Sequence, residues 1–357
     1  MNILLTADTV GGVWTFALEL TDALAERGAR VTLVAIGDPL RPDQEAELRR
    51  SRAQTVHTAT FALEWMPDPW QDLEHAGEWL LRLRDEAQPD LVHASAYAHA
   101  SLPWQVPVIL TAHSCVLSWF EAVRGTPPPP EWDGYRGLVA EGLAAADVIA
   151  APTRAMLDAI ERHYDPPGPR LVIANGRRRA SAPAAAKEPF VLSAGRVWDE
   201  AKNIAALVRI APSLRWPVVV AGHGSARSAN ANVTTLGRVA RTELDELLAR
   251  ASIFTLPARY EPFGLGPLEA AQAGCALVLG DVPSLREVWD DAATFVPPDD
   301  DAALSNALGG LIEDGSLRSE LGERARRHAS RYSPERMAEG YLAAYSAALG
   351  SRTKVPA

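Results

Sequence analysis

The 357 residues contain only two cysteines, Cys115 and Cys275, far apart and in unrelated surroundings. They provide no zinc-ligand spacing and at most one disulfide. The chain reads as one built for a reducing compartment. Positive charge is also short, with 35 Lys and Arg against 45 Asp and Glu, a formal net charge of −10. A nucleic-acid binder needs a basic face to meet phosphates, so that class is excluded. No run of 18 apolar residues occurs, so no segment is expected to span a membrane. The opening Met1-Asn2-Ile3-Leu4-Leu5 lacks the charged start and cleavage site of a signal peptide. Several chemical signatures are missing too. There is no Gly-x-Gly-x-x-Gly fingerprint, no Walker loop and no Gly-x-Ser-x-Gly elbow. Asp299-Asp300-Asp301 follows Phe295-Val296-Pro297-Pro298 and reads as a solvated turn and helix cap rather than a magnesium site.

What is present is ordinary globular material, 47% hydrophobic and 22% charged. At about 150 residues per domain, the length predicts two domains. Residues 2–6 form a buried strand. Val13, Ala17, Leu20 and Leu24 then fall at helical spacing, Gly28 stops the helix, and residues 30–36 form a second strand. One strand–helix–strand unit in about 35 residues implies parallel pairing. The alternation continues with strands at 90–93, 106–111 and 147–151 and helices at 79–87 and 135–146. Pro127 to Pro130 is placed in a long surface loop. Near 177–189 the composition shifts to Arg, Ala, Ser and Pro, and Arg177-Arg178-Arg179 reads as a solvated loop. A second series follows, with strands at 190–194, 218–221, 253–256 and 276–279. Its helices lie at 203–211, at 242–250 capped by Thr242, and from Pro267 to Gly274. Ser333-Pro334 starts a last helix with Met337, Tyr341 and Tyr345 four apart.

The expected fold is therefore α/β, two Rossmann-like doubly wound parallel sheets facing a central cleft. The expected division is a first domain at 1–178, a linker at 179–189, a second domain at 190–332 and a helix at 333–349 crossing back to the first.

Ligands bind beyond the carboxyl ends of parallel strands. Strand 253–256 leads into residues 257–269, where Glu261 lies on the loop and Glu269 in the first helical turn. Gly264 and Gly266 between them free the backbone to approach a ligand. A helix start suits a diphosphate, and a loop carboxylate nearby suits sugar hydroxyls. Glu269 taken alone could equally complement the helix dipole. Strand 190–194 leads to Arg196 and Lys202, two cations able to offset a leaving pyrophosphate, or to pair with Asp199 or Glu200 at the surface. In the first domain, strand 2–6 leads to Gly11-Gly12 at a helix start, a weak signal alone. Strand 106–111 leads to His113, which by position alone reads as a satisfied structural residue.

Together these residues resemble glycosyltransferase family 4, the retaining enzymes of GT-B architecture. The resemblance covers nearly the whole chain. It rests most on Glu261 to Glu269 with Phe263-Gly264-Leu265 inside. Gly195-Arg196, Lys202-Asn203, Thr111-Ala112-His113, Asn175-Gly176 and Gly11-Gly12-Val13 extend it. It implies that Glu269 binds the ribose of a nucleotide. Glu261 and the amides around Phe263, Gly264 and Leu265 would hold the donor sugar. Arg196 and Lys202 would hold the diphosphate, with Gly11 and Gly12 beneath it. His113 would lie near the anomeric carbon, and Arg238 and Val239 beside the base. The run Arg177-Arg178-Arg179 after Asn175-Gly176 departs from the family, as does Gly266.

The implied activity is metal-independent, retaining transfer of a hexose from a UDP- or GDP-sugar, in preference to ADP, to an acceptor the sequence does not name. No cofactor is implied, since the nucleotide sugar is a substrate. A cytoplasmic enzyme is expected, with weak contact to the inner membrane face left open; the oligomeric state is not fixed. A nucleotide-sugar epimerase and a non-catalytic nucleotide-sugar-binding subunit are the alternatives.

Overall fold

The computed structural model describes residues 1–180, 185–224 and 232–352. They form two compact units, one of Met1–Gly176 with the chain from Pro334 onward, the other of Arg177–Ser333.

The first unit holds a seven-stranded sheet of β1 (Asn2–Asp8), β2 (Arg30–Ile36), β3 (Thr55–Ala59), β4 (Leu91–Ala94), β5 (Val108–Thr111), β6 (Val148–Ala151) and β7 (Arg170–Val172). The order is β3-β2-β1-β4-β5-β6-β7, and every pair is parallel. Strands β4, β5 and β6 are buried along their whole length, as expected of a parallel sheet covered on both faces. The helix Gly12–Ala25 buries Phe16, Ala17, Leu20 and Leu24 against it. The C-terminal helix Pro334–Arg352 joins the same core through Met337, Tyr341, Tyr345 and Ala348. A polar network lies inside that apolar contact. His93 on β4 hydrogen bonds Tyr345 Oη and Thr111 Oγ1, each at 2.7 Å, and Thr111 Oγ1 meets Tyr341 Oη at 3.0 Å. Burial, and to a lesser extent the neighbouring His113, holds His93 neutral with its pKa down at about 3.

The second unit holds β8 (Glu188–Ala194), β9 (Val218–Ala221), β10 (Val233–Gly237), β11 (Ala251–Leu256), β12 (Ala276–Gly280) and β13 (Thr294–Val296). The order is β10-β9-β8-β11-β12-β13, again all parallel. Both sheets thus reverse strand order once, between β1 and β4 and between β8 and β11. The loops leaving those strands are where an open parallel sheet takes its ligand.

Several local expectations need correction. A helix of the second unit expected to be capped by Thr242 starts at Arg241 behind Ala240, with no side-chain cap, so Thr242 lies inside it; Asp245 on the same helix pairs with Arg241. The helix expected to begin at Pro267 begins at Leu265. The helix expected at 79–87 runs from Trp70 to Ala87. Pro130 already opens a short 3-10 turn, Pro130–Trp132, so the polyproline run is no long loop. The expected linker at 179–189 overlaps β8, which starts at Glu188; its residues 181–184 lie outside the described residues.

Candidate functional site

In the second unit, the loops after β8 and β11 are laced to one another. The Arg259 amide donates to Ala201 O at 2.8 Å. Asn203, held at φ +53°, donates from Nδ2 to Pro257 O at 3.0 Å and to Pro298 O at 2.6 Å. Across this seam Lys202 Nζ donates to Glu261 Oε2 at 2.7 Å, with side chains only 12% and 15% exposed. Lys202 therefore does not pair with Asp199 or Glu200, and the loop cation meets the loop acid at the switch point. Ser284 Oγ donates to Glu261 O at 2.5 Å and fixes the loop from the far side.

Arg196 behaves differently. Its Nη2 donates to Asp199 Oδ2 at 2.8 Å, and its guanidinium lies 5.4 Å from the Trp198 ring centroid. Asp199 is buried and also accepts from the Ala201 amide at 3.0 Å. The surface-pair alternative thus describes Arg196, which keeps an exposed face beside the exposed Trp198. The loop carrying it is fastened to the next strand's loop, since the Gly195 amide donates to Ala221 O at 3.0 Å and the Val197 amide to His223 O at 2.9 Å. Gly222 permits this: at φ +150°, a Cβ there would stand 1.7 Å from Gly195 O.

Gly264, at φ +93°, is the N-cap of the helix Leu265–Gln272. Pro267 falls in the first turn, where no intrahelical N–H bond is lost. Phe263 is buried with its ring edge-on to Tyr332 at 5.5 Å, so its side chain is not open to a ligand. Glu269 is the fifth residue of this helix, beyond the first turn, and the dipole reading no longer applies to it. It is buried and receives two guanidiniums on one oxygen, Arg177 Nε at 2.8 Å and Arg241 Nη1 at 2.5 Å. The solvated-loop reading of Arg177 is therefore wrong: its side chain is 14% exposed, whereas Arg178 and Arg179 are exposed. A partner 92 residues away leaves no local trace. Arg241 was missed for a similar reason, because its pairing with Asp245 has the spacing of any helical surface pair. Burial works against the Arg241 charge, but Glu269 and Asp245 outweigh it and raise its pKa above the usual arginine range. Arg238 is exposed and Val239 half-buried just after β10. Asp299, Asp300 and Asp301 are engaged respectively by Arg259, by the Ala303 amide and by Arg209.

In the first unit, Gly11 at φ +72° is the exposed N-cap of Gly12–Ala25, and Gly12 is exposed beside it. His113 follows β5 with its ring edge-on to Phe16 at 4.5 Å, and its Nε2 is buried without a hydrogen-bond partner among the described residues. Burial lowers its pKa to about 3, which keeps the imidazole neutral. It is not a satisfied structural residue. Glu64 had no sequence signal. It accepts from the Ala98 amide at 2.8 Å, and burial pushes its carboxyl up to about 7.

Two doubly wound parallel sheets of this kind define the GT-B class of glycosyltransferases. Sucrose-phosphate synthase from Thermosynechococcus elongatus superposes with a TM-score of 0.77 at 20% identity, covering 98% of this chain and all of that one (100%). Anabaena HepE in complex with UDP and glucose does so with a TM-score of 0.75 at 14% identity, covering 97% and 100%.

The chain belongs to glycosyltransferase family 4. Residues 10–178 match the family described as Glycosyltransferase Family 4, and residues 176–328 match Glycosyl transferases group 1. It is 27% identical to the D-inositol 3-phosphate glycosyltransferase of Nocardia farcinica, over 95% of this chain and 85% of that protein. It is 28% identical to the glycogen synthase of Mycobacterium tuberculosis, over 85% and 83%. The chain is an enzyme, a glycosyltransferase. Among the described residues no helix is long and apolar enough to cross a membrane.

Proposed function

We propose that this enzyme is a retaining glycosyltransferase that works without a metal, moving a hexose from a UDP- or GDP-sugar to a hydroxyl of a glycan, lipid or small molecule. The observation that carries this reading is the joining of Lys202 to Glu261 where the second sheet reverses its strand order. One group there can neutralise a phosphate and the other can accept hydrogen bonds from sugar hydroxyls. Glu269 takes the ribose. The amides of Gly264, Leu265 and Gly266 lead a helix and favour negative charge. On the first unit Gly11 and Gly12 are assigned to the diphosphate and His113 to the sugar. A neutral imidazole can hydrogen bond a hydroxyl without adding positive charge beside an electron-poor anomeric carbon. Arg238 and Val239 are assigned to the base.

The glycosidic bond loosens first, so negative charge develops on the departing diphosphate. Arg196, Lys202 and the helix start stabilise that charge, and loss of one such group costs on the order of 10²–10³ in rate. The leaving phosphate oxygen then takes the acceptor's proton on the same face, which accounts for retention. Because the two side chains provide the positive charge, no divalent ion and no cofactor is needed. The enzyme is placed in the cytoplasm, touching the inner membrane face only if its acceptor is a lipid.

The test is a thermal-shift panel of UDP-, GDP- and ADP-sugars with and without EDTA, followed by turnover of the stabilising donor. A ligand at 100 times its Kd should add about 2.7 kcal/mol to stability. Stabilisation by a UDP- or GDP-sugar that EDTA leaves unchanged is expected, with activity reduced at least a hundredfold in Arg196→Ala. No stabilising donor, full activity in Arg196→Ala, or isomerisation of the donor without acceptor would overturn the reading.

A further inference from the structure

We propose that Arg177 is a positioning residue that selects which oxygen of Glu269 is left for the nucleoside, and so sets how well the enzyme distinguishes a ribonucleotide from its deoxy analogue. This rests on the reading of Glu269 as the ribose acceptor. A carboxylate offers about four lone-pair sites, two on each oxygen. Arg177 Nε and Arg241 Nη1 both donate to Oε1, at 2.8 and 2.5 Å. Among the described residues Oε2 accepts no hydrogen bond, so the hydroxyl-binding capacity is gathered on one atom.

The placement of Arg177 is built, not incidental. Its amide donates to Tyr332 O at 3.1 Å, and its carbonyl accepts from Gln272 Nε2 at 2.7 Å. Gln272 stands on the same helix as Glu269, three residues further on. Main chain and side chain of Arg177 are therefore both docked on the element that carries the carboxylate. The side chains of Arg177 and Glu269 are 14% and 9% exposed, which limits screening of the pair by salt. Charge is balanced within the group, Arg177 and Arg241 against Glu269 and Asp245. Glu269 borders a small cavity that is also lined by Arg179, Arg241, Leu248 and Gln272. Without Arg177, the carboxylate is free to turn about Arg241, and the oxygen that faces the nucleoside is no longer fixed. Lys at this position would restore the charge but not the planar Nε–H contact.

The experiment measures binding of UDP and GDP, and of their 2′,3′-dideoxy forms, to the full chain by calorimetry. In Arg177→Met the ribonucleotide that binds should weaken about tenfold, the size expected for one hydrogen bond to a charged group. Its dideoxy form should change less than about twofold, and kcat at saturating donor less than about threefold. Arg177→Lys should recover part of the loss. Equal weakening of both nucleotides, or no weakening, overturns the proposal. Glu269→Gln separates the two levels. If it keeps full discrimination, the reading of Glu269 fails; if it loses discrimination while Arg177→Met keeps it, only the role of Arg177 fails. Should Arg177→Met not fold, Gln272→Leu frees the Arg177 carbonyl without altering charge. It should reduce discrimination about threefold, and unchanged discrimination there also overturns the proposal.

Discussion

Replacing Lys202 with Met removes the ammonium from Glu261 while keeping most of the apolar stem. At 2.7 Å and an effective dielectric of about 20, the gross attraction is about 6 kcal/mol. Desolvation of both groups offsets much of it. Removing one partner of a buried pair costs about 3–5 kcal/mol, because the other charge is left uncompensated. The side chains here retain 12% and 15% exposure, so water relieves part of that cost and about 2–3 kcal/mol is expected. Glu261→Gln should cost about 2 kcal/mol by the same reasoning. The double variant should cost less than the sum, with a coupling of about 1–2 kcal/mol. The assay is urea unfolding followed by hydrogen exchange of the β8 and β11 amides, which reports the second unit rather than the whole chain. Costs that add to within about 0.5 kcal/mol would show that the two side chains do not interact in solution, and the argument for the switch-point pair would go with them.

Two other outcomes are expected. His93 is neutral in the fold, with a pKa near 3, whereas the unfolded imidazole binds a proton below its ordinary 6.5. Stability is therefore full above 6.5 and declines as pH falls toward 3, by up to about 1.4 kcal/mol per pH unit for this group. Urea midpoints between pH 7 and 4 should show a shallower slope in His93→Gln, by about one proton, and an unchanged slope would refute the assignment. Gly222→Ala forces a Cβ onto Gly195 O and a strained φ. It should cost about 2–4 kcal/mol and displace Arg196, read as a lower melting temperature and weaker nucleotide binding. Unaltered melting and binding would mean that the two loops do not pack in this way.

The strands visible in the sequence are those buried on both faces. Residues 148–151 are a continuous apolar run, and 253–256 are one broken only by the buried Thr255, because helices cover both sides of a parallel sheet. The edge strands β3, β7 and β10 are mostly exposed and carry no such run, so only pairing with a neighbour makes them strands. The loops of the site were legible because strand ends and glycines mark them. The charges on them were less so. Glu261 and Lys202 are 59 residues apart, and their pairing follows from strand order, which sequence periodicity does not encode. Gly264 took the cap and moved the helix start two residues earlier than Pro267 suggested, because proline is tolerated anywhere in a first turn. The three consecutive arginines had one sequence signature but two fates, decided by what the fold brought beside the first of them.

The C-terminal helix has a consequence for how the protein is made. Met337, Tyr341 and Tyr345 fill the core that Phe16 and His93 begin, while the second unit is one uninterrupted stretch. During synthesis the half that leaves the ribosome first must wait for the last helix before its interior is dry, whereas the half made in between can complete itself at once. A chain stopped just before Pro334 would therefore damage the portion already made, not the portion being made when synthesis ended.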